Sequence, residues 1–478
     1  MVTNMSFPIQ HPYLKTIQSL AAKKKVAVYL VGGFVRDCLL NRPCMDFDFA
    51  VERDAIKLAR QFSKAIKGAF VLLDEEHGCA RVVKKHGETI QTFDFADFRA
   101  KTLKGDLAHR DFTANALAVD LKMLSAGSEM ERALIAAPAA RRDLWSKTIR
   151  MTSAKAFKED PLRLLRAFSV RAQLDFKIEP QTLARIKKDK NLLRHVSAER
   201  IREELFKILA TEQAGQILSE MDKIKLLEEV IPQVTVMYNV TQGGYHHLNV
   251  WKHSLEAVTQ LDGVFKEFQN DAPVQAYLDE EFGGHKRYAI IKLAMLLHDI
   301  GKPQTRKKEK DRFSFHGHEH VGRDISRNVA KLLKLSTSER YMVEDMVRWH
   351  LRPGYLGDFK VPSERAVFRY FRDAKDEAAS ILLLSIADQR ATRGPLSTTE
   401  DLHHHVKTCK MLIEKFFEKK SEKPVVRLIT GHDLIKKLKL KPSPLFAQIL
   451  REVEEKQALG KVTNRAEALA LAKKIAKV

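Results

Sequence analysis

Two aspartates one residue apart, Asp46-Phe47-Asp48, follow shortly after the run Leu30-Val31-Gly32-Gly33-Phe34-Val35-Arg36-Asp37. On a strand, residues i and i+2 face the same way, so the two carboxylates point together. They repel unless a cation lies between them, and a divalent metal is the economical partner. Gly32 and Gly33 close an apolar β-branched run and open a helix, an arrangement in which backbone N–H groups can approach an anion closely. A phosphate cradle and a metal pair at this separation point to nucleotidyl transfer by metal-assisted in-line displacement. Asp46 and Asp48 are therefore the expected catalytic pair and Mg²⁺ ligands. Gly32 and Gly33 are expected to line a triphosphate, with Arg36 beside them.

A second pattern is Asp160-x-x-Arg163 in FKEDPLRLLRAF. Adenine and cytosine each offer an exocyclic amine donor beside a ring-nitrogen acceptor, and guanine and uracil reverse that order. An accepting aspartate and a donating arginine three apart on one helical face would match A and C and reject G and U. A third constellation comprises His253, the adjacent His298-Asp299, and Asp388, spread over separate predicted helices. Imidazole and carboxylate ligands converging from facing helices build metal sites in bundles. His318 and His350 are further candidate ligands, and His246 and His247 are expected to position rather than ligate.

These segments resemble known families. LVGGFVRDCLLNRPCMDFDFAV is similar to the signature of class II tRNA nucleotidyltransferases and bacterial poly(A) polymerases. HRDFTANALAVDL resembles that family's RRDFTINALA motif, with His109 in place of the first arginine. The resemblance implies triphosphate and ribose contacts from Arg110, Asp111 and Asn115. FKEDPLRLLRAF matches the family's E-D-x-x-R motif at Glu159, Asp160 and Arg163, with Arg166 also in a matching position and Ser169 where an arginine is usual. The histidine–aspartate set looks like the HD phosphohydrolase superfamily, which implies a second divalent metal and a possible phosphohydrolase activity. LITGHDLIKKLKLKPSPLFAQILREVEEKQALGKVTNRAEAL resembles the family's tail, Ser443 replacing a glycine. The implied partners are tRNA or other RNA 3′ ends, CTP and ATP. In this family the switch from CTP to ATP depends on a flexible loop before the RRDFT-like motif. Here only DFRAKTLKGDLA precedes His109, so addition of CC, rather than complete CCA, is expected. Poly(A) polymerase is an alternative, weakened because AFVLLDEEHGCARVVKK lacks a G-R-R-F-type segment. An HD phosphohydrolase with an RNA-binding head is another, opposed by the intact Asp46 and Asp48.

The elements needed to position these groups are legible in outline. KVAVYLVGG, DFDFAV and TIQTFDFADF read as strands, and AFVLLDEE with ARVVKKHG reads as a hairpin. From about Ala154 onward helical spacing takes over, and the rest is expected to be helical. The predicted fold is a mixed-sheet α/β head, residues 1–150, followed by an all-α neck (151–225), an HD-type helical domain (226–400) and a basic helical tail (401–478). Expected linkers are 126–129, 136–140, 279–285, 307–312 and 418–424. The triplet His403–His405 is expected to be solvated.

Composition sets the bounds. The chain has 478 residues, 83 Lys+Arg against 61 Asp+Glu, and a net charge of +22. The excess is densest after residue 400, where 18 basic residues face nine acidic ones. A polyanionic partner is the natural complement. Hydrophobic residues at 44% and charged residues at 30% exclude wholesale disorder. No stretch is long and apolar enough to span a membrane, and the first residues lack a signal-peptide pattern. Cys38, Cys44, Cys79 and Cys409 form no CxxC pair, which fits a reducing cytoplasm. Whether Asp94 or Asp97 completes a carboxylate triad stays open.

Overall fold

The computed structural model describes residues 12–44, 46–87, 89–124, 133–310, 312–357, 361–421 and 426–477. The expected linker at 126–129, the last three residues of that at 418–424, and the N-terminal eleven residues lie outside them. The chain forms two compact units, residues 1–204 and 205–478.

In the first unit, alternation of apolar and acidic residues decides the sheet. The strands are β1 (Val28–Val31), β2 (Asp46–Val51), β3 (Ala69–Asp74), β4 (Cys79–His86), β5 (Thr89–Asp97), β6 (Leu117–Asp120) and β7 (Leu134–Ala136). They lie in the order β3-β4-β5-β2-β1-β6-β7. β2 and β5 run parallel, with Phe47 opposite Phe93, Asp48 opposite Asp94 and Phe49 opposite Phe95. Phe47 stacks on Phe93 with ring centroids 4.9 Å apart, and Phe49 on Phe95 at 4.8 Å. Helix α3 (Ala55–Ile66) covers this aromatic face, its Phe62 lying edge-on to Phe93 and tilted against Phe95. Each such buried ring contributes roughly 1.5–3 kcal/mol. With every second residue committed to that core, the intervening aspartates must turn to the other face.

That opposite face is covered at its β1–β6 side by α4 (Leu103–Ala108). Leu107 packs there with Val31, Ala50, Ala116 and Ala118. Two further helices complete the picture: α1 (Pro12–Lys24) beside α3, and α2 (Gly33–Leu39) directly after β1.

The neck departs from expectation at one point. Asp160 and Arg163 do not share a helical face. A short turn of helix ends at Glu159, Asp160 is extended (φ −144°, ψ 99°), and the next helix runs Arg163–Leu174. Pro161 is the cause, because the residue before a proline is driven out of the helical region.

The second unit is built on two helices that are buried almost all round, Arg287–Leu297 and Ala378–Ala391, packed with Val250–Glu267. It is not wholly helical. The expected linkers at 279–285 and 307–312 contribute to two small hairpins, Glu281–Phe282 with His285–Lys286 and Lys307–Glu309 with Arg312–Ser314. Gly283 and Gly284 both take positive φ, 60° and 93°, as a two-residue hairpin turn requires. The segment at 136–140 joins β7 to the helix Ala140–Trp145. His405 is buried rather than solvated, within hydrogen-bond distance of Ser385 Oγ at 3.0 Å. The last three helices, Gly431–Leu438, Pro444–Ala458 and Arg465–Ala476, enclose a core of their own around Leu434, Ile449, Val453 and Ala468. Among the described residues, no helix is long and apolar enough to cross a membrane.

Candidate functional sites

The head site starts at the β1–α2 turn. Gly32 has φ 71°, and a Cβ placed on it would lie 2.9 Å from Arg110 Nη1 and 3.3 Å from Asp48 Oδ2. Any side chain there would be strained and would fill the cleft beside the carboxylate. Asp46 accepts a hydrogen bond from Thr92 Oγ1 at 2.5 Å. Asp48 stands directly opposite Asp94, which is gripped by Arg81 through two bonds of 2.7 Å. Asp97 is engaged elsewhere, accepting from the backbone N–H of Ala55 at the start of α3. The carboxylate grouped with Asp46 and Asp48 is thus Asp94. Burial raises the pKa of Asp48 to about 6; Arg110 opposes the rise, and Asp94 and Asp46 add to it. A cation among these oxygens would relieve both burial and repulsion, so the donor set fits a hard divalent metal.

Around this center four of the expected nucleotide-binding residues form one hydrogen-bonded chain. Arg36 Nη1 donates to Asn115 Oδ1 at 2.7 Å, and Asn115 Nδ2 donates to Asp111 Oδ1 at 3.0 Å. Asp111 Oδ2 accepts from Arg166 Nε at 2.7 Å. Burial works against the charged form of Asp111, but Arg166, Asn115 and the Phe112 N–H outweigh it and hold its pKa at about 2. Arg110 Nη2 lies 3.4 Å from Asp106, leaving its buried Nε without a partner. Asp160 and Arg163 are not brought together. Asp160 accepts from Arg200 at 2.9 Å, and the buried Arg163 donates to the carbonyls of His109 (2.7 Å) and Ala156 (3.2 Å). His109 contacts Glu159 at 3.3 Å.

Sequence reading missed Arg81, Thr92 and Glu204, which lies 3.6 Å from Arg166 and accepts from Ser169. Counting back from Gly87 across the β4–β5 hairpin pairs Arg81 with Asp94, so that partner was within reach of the sequence.

The second unit gathers the other constellation completely. His253 Nε2 is 2.8 Å from Asp388 Oδ1, and His298 Nε2 is 3.2 Å from Asp299 Oδ2 and 3.5 Å from Asp388 Oδ1. His318 Nε2 lies 3.2 Å from His350 Nε2 and 3.4 Å from Asp299 Oδ1. Two buried triads result, His253–His298–Asp299 and Asp299–His318–His350, with Asp299 in both. Three of the histidines are oriented in the same way. His298, His318 and His350 each direct Nδ1 to the carbonyl three residues earlier, at 2.7, 2.8 and 2.8 Å. A carbonyl can only accept, so Nδ1 carries a proton and each Nε2, on the other side of its ring, is turned inward toward the carboxylates. Burial, with help from His318 and His298, lowers the His350 pKa to about 3. Lys302 Nζ is 2.7 Å from Asp299 and donates to Gln242 at 2.6 Å. His246 stays outside both triads, its ring 4.7 Å from that of His253. Imidazole lone pairs and carboxylates converging in a dry pocket are a donor set suited to a divalent metal.

Comparison with known proteins assigns the chain. Residues 28–150 match the poly A polymerase head domain, 175–237 an RNA and SrmB-binding site of polymerase A, 245–393 the HD domain, and 412–472 tRNA nucleotidyltransferase domain 2. The chain is 31% identical over 449 residues to an A-adding tRNA nucleotidyltransferase of Deinococcus radiodurans, covering 92% of this chain and 94% of that protein. It belongs to the tRNA nucleotidyltransferase family. It is accordingly an enzyme, a nucleotidyltransferase with an HD domain. A CC-adding tRNA nucleotidyltransferase of Geobacter sulfurreducens is also 31% identical, over 462 residues, covering 96% of this chain and 94% of that one. Identity to the two relatives therefore does not separate the tRNA nucleotidyltransferases that add A from those that add CC. The fold is shared with a CCA-adding enzyme solved with ATP, at a TM-score of 0.64 and 20% identity over 99% of this chain and 96% of that one.

Proposed function

We propose that this nucleotidyltransferase adds two cytidines to the 3′ end of tRNA and stops there. The observation that carries the reading is the connection between β5 and α4. Only Phe98–Thr102 separates them, and that span is tied down. Thr102 caps α4 by accepting from the Gly105 N–H, and the buried Asp106 accepts from the Arg99 N–H. A segment this short, with its ends hydrogen-bonded, leaves no mobile lever to reset the base site from CTP to ATP.

In this reading Asp46, Asp48 and Asp94 hold Mg²⁺, which when bound activates the acceptor hydroxyl and neutralizes triphosphate charge. Gly32 and Gly33 present backbone N–H groups to the triphosphate. Arg36 and Arg110 supply charge, and the Asn115–Asp111–Arg166 chain fixes their surroundings. Asp160 exchanges Arg200 for the exocyclic amine of cytosine, with Arg163 beside it. Residues 1–150 serve as head, 151–225 as base-selecting neck, 226–400 as metal domain and 401–478 as basic RNA-binding tail, acting in the cytoplasm on tRNA with CTP. The two triads favor a second activity. A divalent ion held by His253, His298, Asp299 and Asp388, with His318 and His350 beside them, would supply the charge and activated water that phosphoester hydrolysis needs.

Incubating purified protein with tRNA ending at its discriminator base, plus CTP and ATP together, tests the main reading. Products stopping at two added cytidines are expected. Efficient addition of a terminal adenosine by this protein alone overturns it.

A further inference from the structure

The tail meets the HD domain along a polar seam, where its helix Pro444–Ala458 packs against the helix Glu364–Ala374. The buried Glu455 is clasped there by Arg365, Arg369 and Arg372, which stand at i, i+4 and i+7 on one face of the second helix. Arg369 donates to it from Nε at 2.8 Å and from Nη2 at 3.3 Å, Arg365 donates from Nε, and Arg372 Nη1 lies 3.8 Å away. A fourth arginine, Arg352, donates from Nη2 to Asp373 at 2.7 Å.

Beside this clasp opens a cavity of about 280 Å³. Arg352, Arg365 and Arg369 line it, together with Tyr355, Leu356 and Ser363. Among the described residues no carboxylate lines it, so Asp373 and Glu455 grip the arginines from outside the cavity. A guanidinium has five N–H donors. Arg352 uses Nη2 on Asp373, and Arg369 uses Nε and Nη2 on Glu455, so each keeps Nη1 for another acceptor. Guanidinium groups held in place, with donors to spare and no acid facing them, are the arrangement that receives a phosphate. The helix Glu364–Ala374 also begins here. Ser363 caps it by accepting from the Ala366 N–H at 3.3 Å, and the positive end of this eleven-residue helix adds to the field. Tyr355 is 60% exposed and offers an aromatic face on which a base can stack.

We propose that this cavity is a nucleotide-phosphate site at the joint of the HD domain and the tail. Arg352, Arg365 and Arg369 take the phosphate, and Tyr355 takes the adjoining base. None of these residues belongs to either metal-ligand set. The nucleotide comes either from the RNA chain or from the free pool, and the chemistry of recognition is the same for both. The rival account is a clasp that only holds the tail. It requires every arginine on Glu455 to matter alike, and it gives no role to Tyr355.

Two probes separate the sources, both with the full chain in EDTA so that bound metal plays no part. One is tRNA without added nucleotide, followed by fluorescence anisotropy; the other is adenosine monophosphate, followed by equilibrium dialysis. If the nucleotide belongs to RNA, Tyr355→Ala should weaken tRNA binding roughly fivefold or more. Arg352→Gln should then lessen the slope of log Kd against log salt by about one. If it is free, wild type should bind adenosine monophosphate with a component that both variants lose. Tyr355 is exposed, so its replacement stands in should Arg352→Gln fold poorly. Arg372→Gln touches the clasp without lining the cavity, and should leave the binding of both probes unchanged. Wild-type binding of both probes by Arg352→Gln and Tyr355→Ala overturns the site. An equal loss in Arg372→Gln also overturns it, and assigns these arginines to holding the tail.

Discussion

Asp46, Asp48 and Asp94 offer oxygen donors only, on a sheet face that solvent reaches, whereas the site around Asp299 is buried and draws most of its donors from imidazole. The head places its carboxylates by alternation along strands, with Arg81 and Thr92 as outer partners. The HD domain places His298, His318 and His350 at helix ends, where the carbonyl three residues earlier fixes each ring. Hard oxygen donors in an open site suit a weakly held, exchangeable ion that arrives with a nucleotide. Nitrogen lone pairs in a dry pocket suit a resident transition metal. One chain thus carries two donor sets of opposite character, one of carboxylate oxygens on a sheet face and one of buried imidazoles around a carboxylate.

Separating the two sites by mutation is the strongest way to break that contrast. Asp46→Ala or Asp48→Ala should lower CTP incorporation by more than about a hundredfold while the metal retained after gel filtration stays unchanged. The reverse experiment, His298→Ala with Asp299→Ala, should strip retained metal and any metal-stimulated phosphatase or 2′,3′-cyclic phosphodiesterase activity. Nucleotide addition should stay within about twofold of wild type. Elemental analysis and incorporation assays on both variants decide the matter, and a variant that silences both functions would merge the sites.

A smaller effect sharpens the account of the head. Asp160→Ala should reduce the preference for CTP over UTP on the order of a hundredfold, because selection by a hydrogen-bonding site is lost with its acceptor. Slower incorporation with unchanged selectivity would remove Asp160 from base reading.

The smallest effect concerns stability. The folded pKa of Asp111 is depressed to about 2, so its contribution is fully present above the ordinary carboxylate pKa and is lost as pH falls from about 4 toward 2. At neutral pH it amounts to about 2 kcal/mol. Asp111→Asn should therefore lower the unfolding midpoint of the head at pH 7, and the gap to wild type should narrow between pH 4 and pH 2. A gap independent of pH over that range would show that the charge is not what stabilizes.

What the sequence revealed and what it hid follow one physical line. Asp46-Phe47-Asp48 declares its own faces because strand alternation is local. The partnership of Asp48 with Asp94 is not local: β5 must leave β4 and pair in parallel with β2, a choice made by the four stacked phenylalanines acting together. Pro161 carried a readable signal against a continuous helix at Asp160, and Gly283-Gly284 carried one for a hairpin. The burial of His405 had no such mark, since its partner Ser385 sits on another helix. Histidine and aspartate identities announced the HD center, but the sharing of Asp299 between two triads appears only when four helices converge.

The short connection between β5 and α4 has a consequence for how such a chain can change over generations. Where a product is limited by a side chain, one substitution can restore the longer product. Here the limit would be set by missing backbone, and no exchange of one residue for another lengthens five residues into a swinging segment. If the chain stops at two cytidines as proposed, descendants could gain terminal adenylation only by an insertion that also frees Asp106 and Thr102 from their present bonds. Deletion is the easier direction, so the arrangement acts as a one-way step. A lineage that takes it is thereafter bound to a second gene whose enzyme finishes every tRNA.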